Sequence, residues 1–129
     1  MGNPLLDVRA TFHGPVTVLR LVGWLTDGNA GDLERHFVAG VEHGAMRFVL
    51  DLSSAHFADS GGPAVFATWK PRLDEAGGCL ILAAPSRSTL QTLVFGGLDK
   101  CLPVTKTVAE GLELARRKTE SGRWQRVTV

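Results

Sequence analysis

The chain has 129 residues, 44% hydrophobic and 21% charged, with 15 glycines, a composition that excludes disordered, collagen-like and disulfide-scaffold classes. At this length folding buries roughly two-thirds of the unfolded chain's surface, enough for one core that needs no metal or crosslink. Fourteen Lys and Arg against 13 Asp and Glu give a net charge of +1, which removes the electrostatic case for nucleic-acid binding. Tyr is absent and aromatics are 7%, so a base-stacking platform is not expected either.

Along the chain, Val8 to Phe12 alternate weakly and meet the turn signal His13-Gly14-Pro15, which predicts a hairpin. Val16 to Gly23 is apolar and β-branched at nearly every position, as in a strand covered on both faces. Asp27 to Gly31 breaks it, with Asp27 or Asn29 available as an N-cap. From Asp32 to Val41 the residues Leu33, Phe37, Val38 and Val41 fall at helical spacing. Phe48 to Leu52 reads as a central strand, and Ser53 to Ser60 as the loop after it. Gly62 to Ala76 predicts a second helix with Val65, Phe66, Trp69 and Leu73 on one stripe, closed by Gly77-Gly78. Cys79 to Ala84 is a further buried strand, and Ser88 to Phe95 a third helix after Pro85-Ser86. Leu102-Pro103-Val104 reads as an edge strand, because Pro103 has no N–H for a central ladder. Thr107 with Glu110 forms a capping-box pattern that opens a last helix through about Lys118.

The order ββαβαβαβα predicts an α/β fold, a mixed sheet of four to five strands with about four helices, in a single domain over residues 1–118 followed by a C-terminal tail, 119–129. Function in open sheets of this kind gathers beyond the carboxyl ends of the strands. That directs attention to the loop after Leu52.

There, Asp59-Ser60-Gly61-Gly62-Pro63 leads into the second helix. Pro63 is tolerated only within a first helical turn, so Ser60 or Asp59 stands at or just before the N-cap. With Ser60 as the cap, the N–H groups of Gly61 and Gly62 would point out from the positive end of the helix, where a phosphate is stabilised. Phosphorylation would then act at the surface, by placing about two negative charges where a partner docks. The plainer reading of the same residues is a capped helix start and nothing more.

The run Phe48-Val49-Leu50-Asp51-Leu52, followed by Phe57 and Asp59-Ser60-Gly61-Gly62, resembles the signature of the STAS family, the fold of bacterial anti-sigma factor antagonists. Glu75-Ala76-Gly77-Gly78 before an apolar strand, the Pro85-Ser86 helix start and Gly96-Gly97-Leu98-Asp99-Lys100-Cys101-Leu102-Pro103-Val104 fall in the family's order, over about residues 8 to 118. The resemblance implies that Ser60 is phosphorylated by a histidine-kinase-like ATPase that serves as anti-sigma factor. It also implies that the unphosphorylated form binds this factor through Asp27, Asp59, Ser60, Gly61 and Gly62, and that a serine phosphatase resets the switch. The sequence departs from the family pattern at Gly61, where a second serine is usual, at Pro63, where leucine is usual, and at Gly23-Trp24-Leu25-Thr26, where the acid comes only at Asp27. The alternative function is that of a STAS accessory or sensory module, stressosome-like or lipid-transport-like, without a phosphorylation switch.

Other chemistry is weakly supported. His13, His36, His43 and His56 include no pair at the i,i+4 spacing of a helical zinc site, and Cys79 and Cys101 have no CxxC partner, so neither a metal nor a cofactor is expected. The two cysteines read as core or half-buried thiols. A Ser60–His56 dyad with Asp51 or Asp59 as orienter lacks a nucleophile-elbow pattern, and no P-loop is present; the chain is not expected to be an enzyme. Trp24, Trp69 and Trp124 are candidate interface anchors, with packing the simpler role for Trp69. The N-terminus has no basic n-region or long apolar stretch, and no apolar run approaches the ~18 residues of a membrane span. A cytoplasmic location is expected.

Overall fold

In the computed structural model, which describes residues 5–59 and 61–117, the chain folds strand by strand in sequence order. β1 (Leu6–His13) and β2 (Val16–Leu25) form an antiparallel hairpin. Gly14 takes φ +61° in the tight turn, at the first central position where glycine suits the strand twist. After β2 come α1 (Ala30–Glu42), β3 (Arg47–Phe57), α2 (Ala64–Glu75), β4 (Cys79–Ala83), α3 (Arg87–Phe95), α4 (Leu98–Cys101), β5 (Val104–Thr105) and α5 (Val108–Arg116). The sheet order is β1-β2-β3-β4-β5, with every pairing after the hairpin parallel.

Three successive parallel crossovers advance across the sheet in one direction, and the right-handed rule therefore places α1, α2 and α3 on one face. The packing agrees. Leu19, Leu21, Phe48, Leu50, Leu52, Leu80 and Leu82 turn to that face and meet Leu33 and Phe37 of α1, Val65, Phe66, Trp69 and Leu73 of α2, and Leu93 of α3. The alternate residues Val16, Val18, Val49, Cys79, Ile81 and Ala83 turn to the other face, where Ala115 of α5 covers them. Period-2 alternation thus supplies two cores from one set of strands. It also explains why β2, β3 and β4 read as almost continuous apolar runs.

The expected α/β architecture holds, with five strands and five helices. The differences have physical causes. Ser53 to Phe57, expected as loop, continues β3, pairing with β2 beyond a register shift between Arg20 and Val22. An extra residue is absorbed there; Leu52 and Ala55 stay buried while Ser53 and His56 are exposed. Val38, placed on the buried stripe of α1, is 41% exposed, because Leu33 and Phe37 already fill the contact with the sheet. Asn29 ends the turn before α1 without a side-chain cap bond to the helix. A short helix, α4, stands where no element was expected, and β5 begins only after Pro103. Cys101 is exposed and Cys79 buried, with no disulfide.

Several expectations hold in detail. Ser86 caps α3 by accepting the Thr89 N–H, and Thr107 caps α5 by accepting that of Glu110. Trp69 is a packing residue: its ring lies 5.4 Å from Phe37, Nε1 donates to Glu34 at 2.8 Å, and the Arg72 guanidinium sits 5.0 Å over the ring. The tail, 119–129, with Trp124, and Lys118 at the expected end of α5 lie outside the described residues.

Candidate functional site

The carboxyl ends of β2 and β3 lie side by side, so the loops that follow them meet. Leu25 pairs with Phe57, and the next N–H, that of Ala58, donates to the Leu25 carbonyl at 3.0 Å. One residue further, the Asp59 carboxylate bridges the two loops. It accepts the Asp27 N–H at 3.0 and 3.2 Å and the Gly62 N–H at 3.0 Å. Asp59 therefore ties the β2–α1 loop to the first turn before α2. It sits at the residue before Ser60, which itself lies outside the described residues.

These backbone donors set the charge at the site. The Gly62 N–H, then the Asp27 N–H and a lesser contribution from Gly61, hold the Asp59 carboxyl below its usual range, against a small opposing effect of desolvation. Asp59 is exposed and ionised at neutral pH, a fixed negative charge at the positive end of α2. This corrects one expectation. The Gly62 N–H does not point outward for a phosphate, because the Asp59 carboxylate already occupies it.

The glycines are explained by space rather than by flexibility. A Cβ on Gly62 would lie 2.9 Å from Leu25 Cγ and 3.0 Å from the Leu25 carbonyl carbon and oxygen, so this backbone must pass directly against the end of β2. A Cβ on Gly61 would lie 2.6 Å from Cβ of Asp27 and 2.8 Å from its Oδ1. Gly61 therefore leaves room for the acid that sits later here than the family pattern places it. Asp27, Asp59, Gly61 and Gly62 are thus brought together at one junction. Pro63 precedes α2 in helical conformation (φ −63°, ψ −19°), with Val65 and Phe66 N–H groups reaching Gly62 and Pro63 carbonyls in a tight first turn.

Beneath the loop lies a polar knot that sequence reasoning missed. Asn29, 1% exposed, accepts the Thr26 N–H at 2.8 Å and donates to the Trp24 carbonyl at 2.8 Å, while its own N–H donates to Thr26 Oγ1 at 3.1 Å. The side chain that looked like a helix cap instead fixes the path of the loop carrying Asp27.

Beside the junction, Trp24 and His56 stack with ring centroids 4.8 Å apart. Trp24 is 48% exposed. The pair borders a cleft of about 190 Å³ completed by Phe57, Ser88, Thr89 and Thr92. Thr89 Oγ1 donates to the Ala55 carbonyl at 3.1 Å, docking α3 on the part of β3 that outruns β4. The signal for the stack was the strand extension: once β3 reaches Phe57, Trp24 and His56 fall opposite each other.

The described members of the candidate triad each have other partners. His56 stacks on Trp24, Asp51 Oδ1 accepts the Ser53 N–H at 3.0 Å, and Asp59 is taken by backbone donors. Among the described residues no group of three or more His, Cys, Asp or Glu is placed to hold a metal. No helix among them is long and apolar enough to cross a membrane.

A comparison with curated proteins found none that matches the chain. Solved structures do match. A candidate anti-sigma factor antagonist from Thermotoga maritima is 22% identical, with a TM-score of 0.75 over 85% of this chain and 95% of that one. An anti-sigma factor antagonist from Mycobacterium paratuberculosis is 24% identical, with a TM-score of 0.74 over 90% and 99%. The anti-sigma factor antagonist SpoIIAA is 20% identical in both its forms. Its unphosphorylated form gives a TM-score of 0.72 over 85% and 96%. The phosphorylated form, from Bacillus, gives 0.63 over 84% and 96%. At these identities the likeness is one of fold. The family model of the STAS domain matches residues 7–111, spanning the hairpin, the junction at Asp59 and the first turn of α5, and the chain accordingly belongs to the STAS domain family.

Proposed function

We propose that this protein is an anti-sigma factor antagonist, a binding switch rather than an enzyme. Its partner is an anti-sigma factor of the histidine-kinase-like ATPase type, and the docking residues are Asp27, Asp59, Ser60, Gly61 and Gly62. The partner phosphorylates Ser60 and the complex separates; a serine phosphatase restores the binding form. The reaction is cytoplasmic.

The observation that carries the reading is the carboxylate of Asp59, held ionised one residue before Ser60 by the Gly62 and Asp27 N–H groups. The Gly62 N–H is thereby occupied, and a phosphoryl group on Ser60, the next residue in the chain, would add its charge to a segment that already carries this carboxylate, changing the electrostatic match with a docked partner. About two added negative charges turn a net charge of +1 negative. A neighbour of the same fold is described in unphosphorylated and phosphorylated forms, which supports a covalent switch on this scaffold.

The test is incubation with a candidate histidine-kinase-like anti-sigma factor and ATP, followed by mass mapping of phosphate. Label at Ser60, with binding kept by Ser60→Ala and lost by Ser60→Asp, is the expected result. Equal binding by both variants, or copurification with partners that are not kinases, would favour the accessory or sensory module instead.

A further inference from the structure

The two edges of the sheet are finished differently. β5 is two residues long and follows Pro103, a short, proline-flanked edge that resists pairing. β1 runs for eight residues, Leu6–His13, with no proline or bulge in its pairing to β2. The Trp24 N–H donates to the Leu5 carbonyl, so in the antiparallel ladder the odd-numbered residues of β1 bond inward to β2. The N–H and C=O groups of Leu6, Val8, Ala10 and Phe12 therefore face outward, and no hydrogen bond joins them to other described residues. On the helix-covered face of this edge Phe12 is 76% exposed. On the opposite face Asp7 and Arg9 stand two residues apart, their side chains paired at 2.7 Å.

We propose that β1 pairs antiparallel with β1 of a second copy of this chain, joining two sheets into one continuous sheet about a two-fold axis at Val8. Charge selects the occupant and the register. The outward backbone groups belong to even-numbered residues, so they can match only in registers that pair even with even. An axis at Asp7 sets Asp7 against itself, and an axis at Arg9 sets Arg9 against itself; like charges directly opposite are destabilising. An axis at Ala10 leaves Arg9 against Thr11. An axis at Val8 alone puts Asp7 of each copy opposite Arg9 of the other, twice, in non-hydrogen-bonded pairs where side chains approach most closely. On the other face the same register sets Val8 against Val8 and Leu6 against Ala10. Phe12 then lies diagonal to Leu6 of the second copy, within reach of an aromatic side chain. The patch is self-complementary, as an isologous two-fold contact requires. Asp27, Asp59, Gly61 and Gly62 lie on the loops after β2 and β3 and not on β1, so pairing uses none of these candidate docking residues.

The test uses the full-length chain and does not depend on the phosphorylation switch. Sedimentation equilibrium is expected to show a concentration-dependent dimer. In a Cys101→Ser background, Val8→Cys is expected to crosslink to itself on oxidation, because directly opposite hydrogen-bonded residues have Cα atoms about 5.5 Å apart, within disulfide reach. Ala10→Cys is expected not to crosslink. Asp7→Arg or Arg9→Asp alone should weaken the dimer about tenfold, and the double exchange should restore it; both side chains are exposed, and circular dichroism checks that each variant folds. A monomer at all concentrations would overturn the proposal. So would crosslinking through Ala10→Cys instead of Val8→Cys, single charge reversals without effect, or a dimer that forms only after deletion of residues 118–129, which would mean that the chain's own C-terminal segment covers β1.

Discussion

The helix-covered core and the loop junction at the carboxyl end of the sheet sit within a few residues of each other on β2 and β3, yet they are built by opposite means. The core consists of closely packed apolar groups: Phe37 and Phe48 meet edge-to-face at 5.2 Å, and Leu50 and Phe66 are fully buried. The junction has little apolar packing. It is held by one carboxylate bridging two loops, a buried asparagine knotting the strand end, and two glycines, one pressed against the Leu25 backbone and the other against the Asp27 side chain. The first kind of construction supplies stability and tolerates little change in volume. The second supplies a fixed shape and charge at the surface, so changes there should reach partner binding before they reach the fold.

The contrast can be broken most severely from the core. Leu50→Ala should cost about 2–5 kcal/mol in urea unfolding, while the affinity of the folded fraction for the partner stays near that of the parent. Gly62→Ala should cost about 1–3 kcal/mol through overpacking against Leu25. It should also lower partner affinity in a titration, because parting the two loops displaces Asp59. Trp24→Ala sharpens the comparison: an exposed aromatic beside the junction should matter little to thermal stability but lower partner affinity roughly tenfold if it anchors the contact. The smallest effect belongs to Asp59→Asn, read as a change in pH dependence. Because folding lowers the Asp59 pKa, its stabilising contribution is present above the unfolded value of about 4 and is lost as pH falls through the lower, folded value. Thermal unfolding across that acid range should be less pH-dependent in the variant.

Much of the fold was legible because it is carried by local patterns. The hairpin turn, the stripe Val65, Phe66, Trp69 and Leu73, and the Ser86 and Thr107 caps each depend on neighbours a few positions away. The candidate residues could be picked out one by one in the sequence, but not the contacts among them. The meeting of Asp27 with Asp59 requires the parallel pairing of Leu25 with Phe57, a contact across more than thirty residues that no window of sequence displays. The same long-range pairing turned the expected loop Ser53 to Phe57 into strand, since its polar residues serve an open sheet face rather than a turn. Asn29 does stand at the N-cap position of α1, but its side chain bonds back to the preceding turn instead of to the helix: the residue types that cap helices can do either, and only the geometry decides between them.

The agreement between sheet order and chain order has a consequence for how the protein assembles. Each parallel pairing closes over one helix, or over α3 and α4 in the last crossover, so the sheet can grow one strand at a time from the amino end, as contacts of modest sequence separation allow. The face carrying Val16, Val18, Val49 and Ile81 gains no such protection along the way. Its cover is α5, which begins at Val108, so a chain emerging from the ribosome presents a stripe of valine and isoleucine to water until the last helix arrives. During that interval the nascent domain is most exposed to aggregation and most in need of a chaperone.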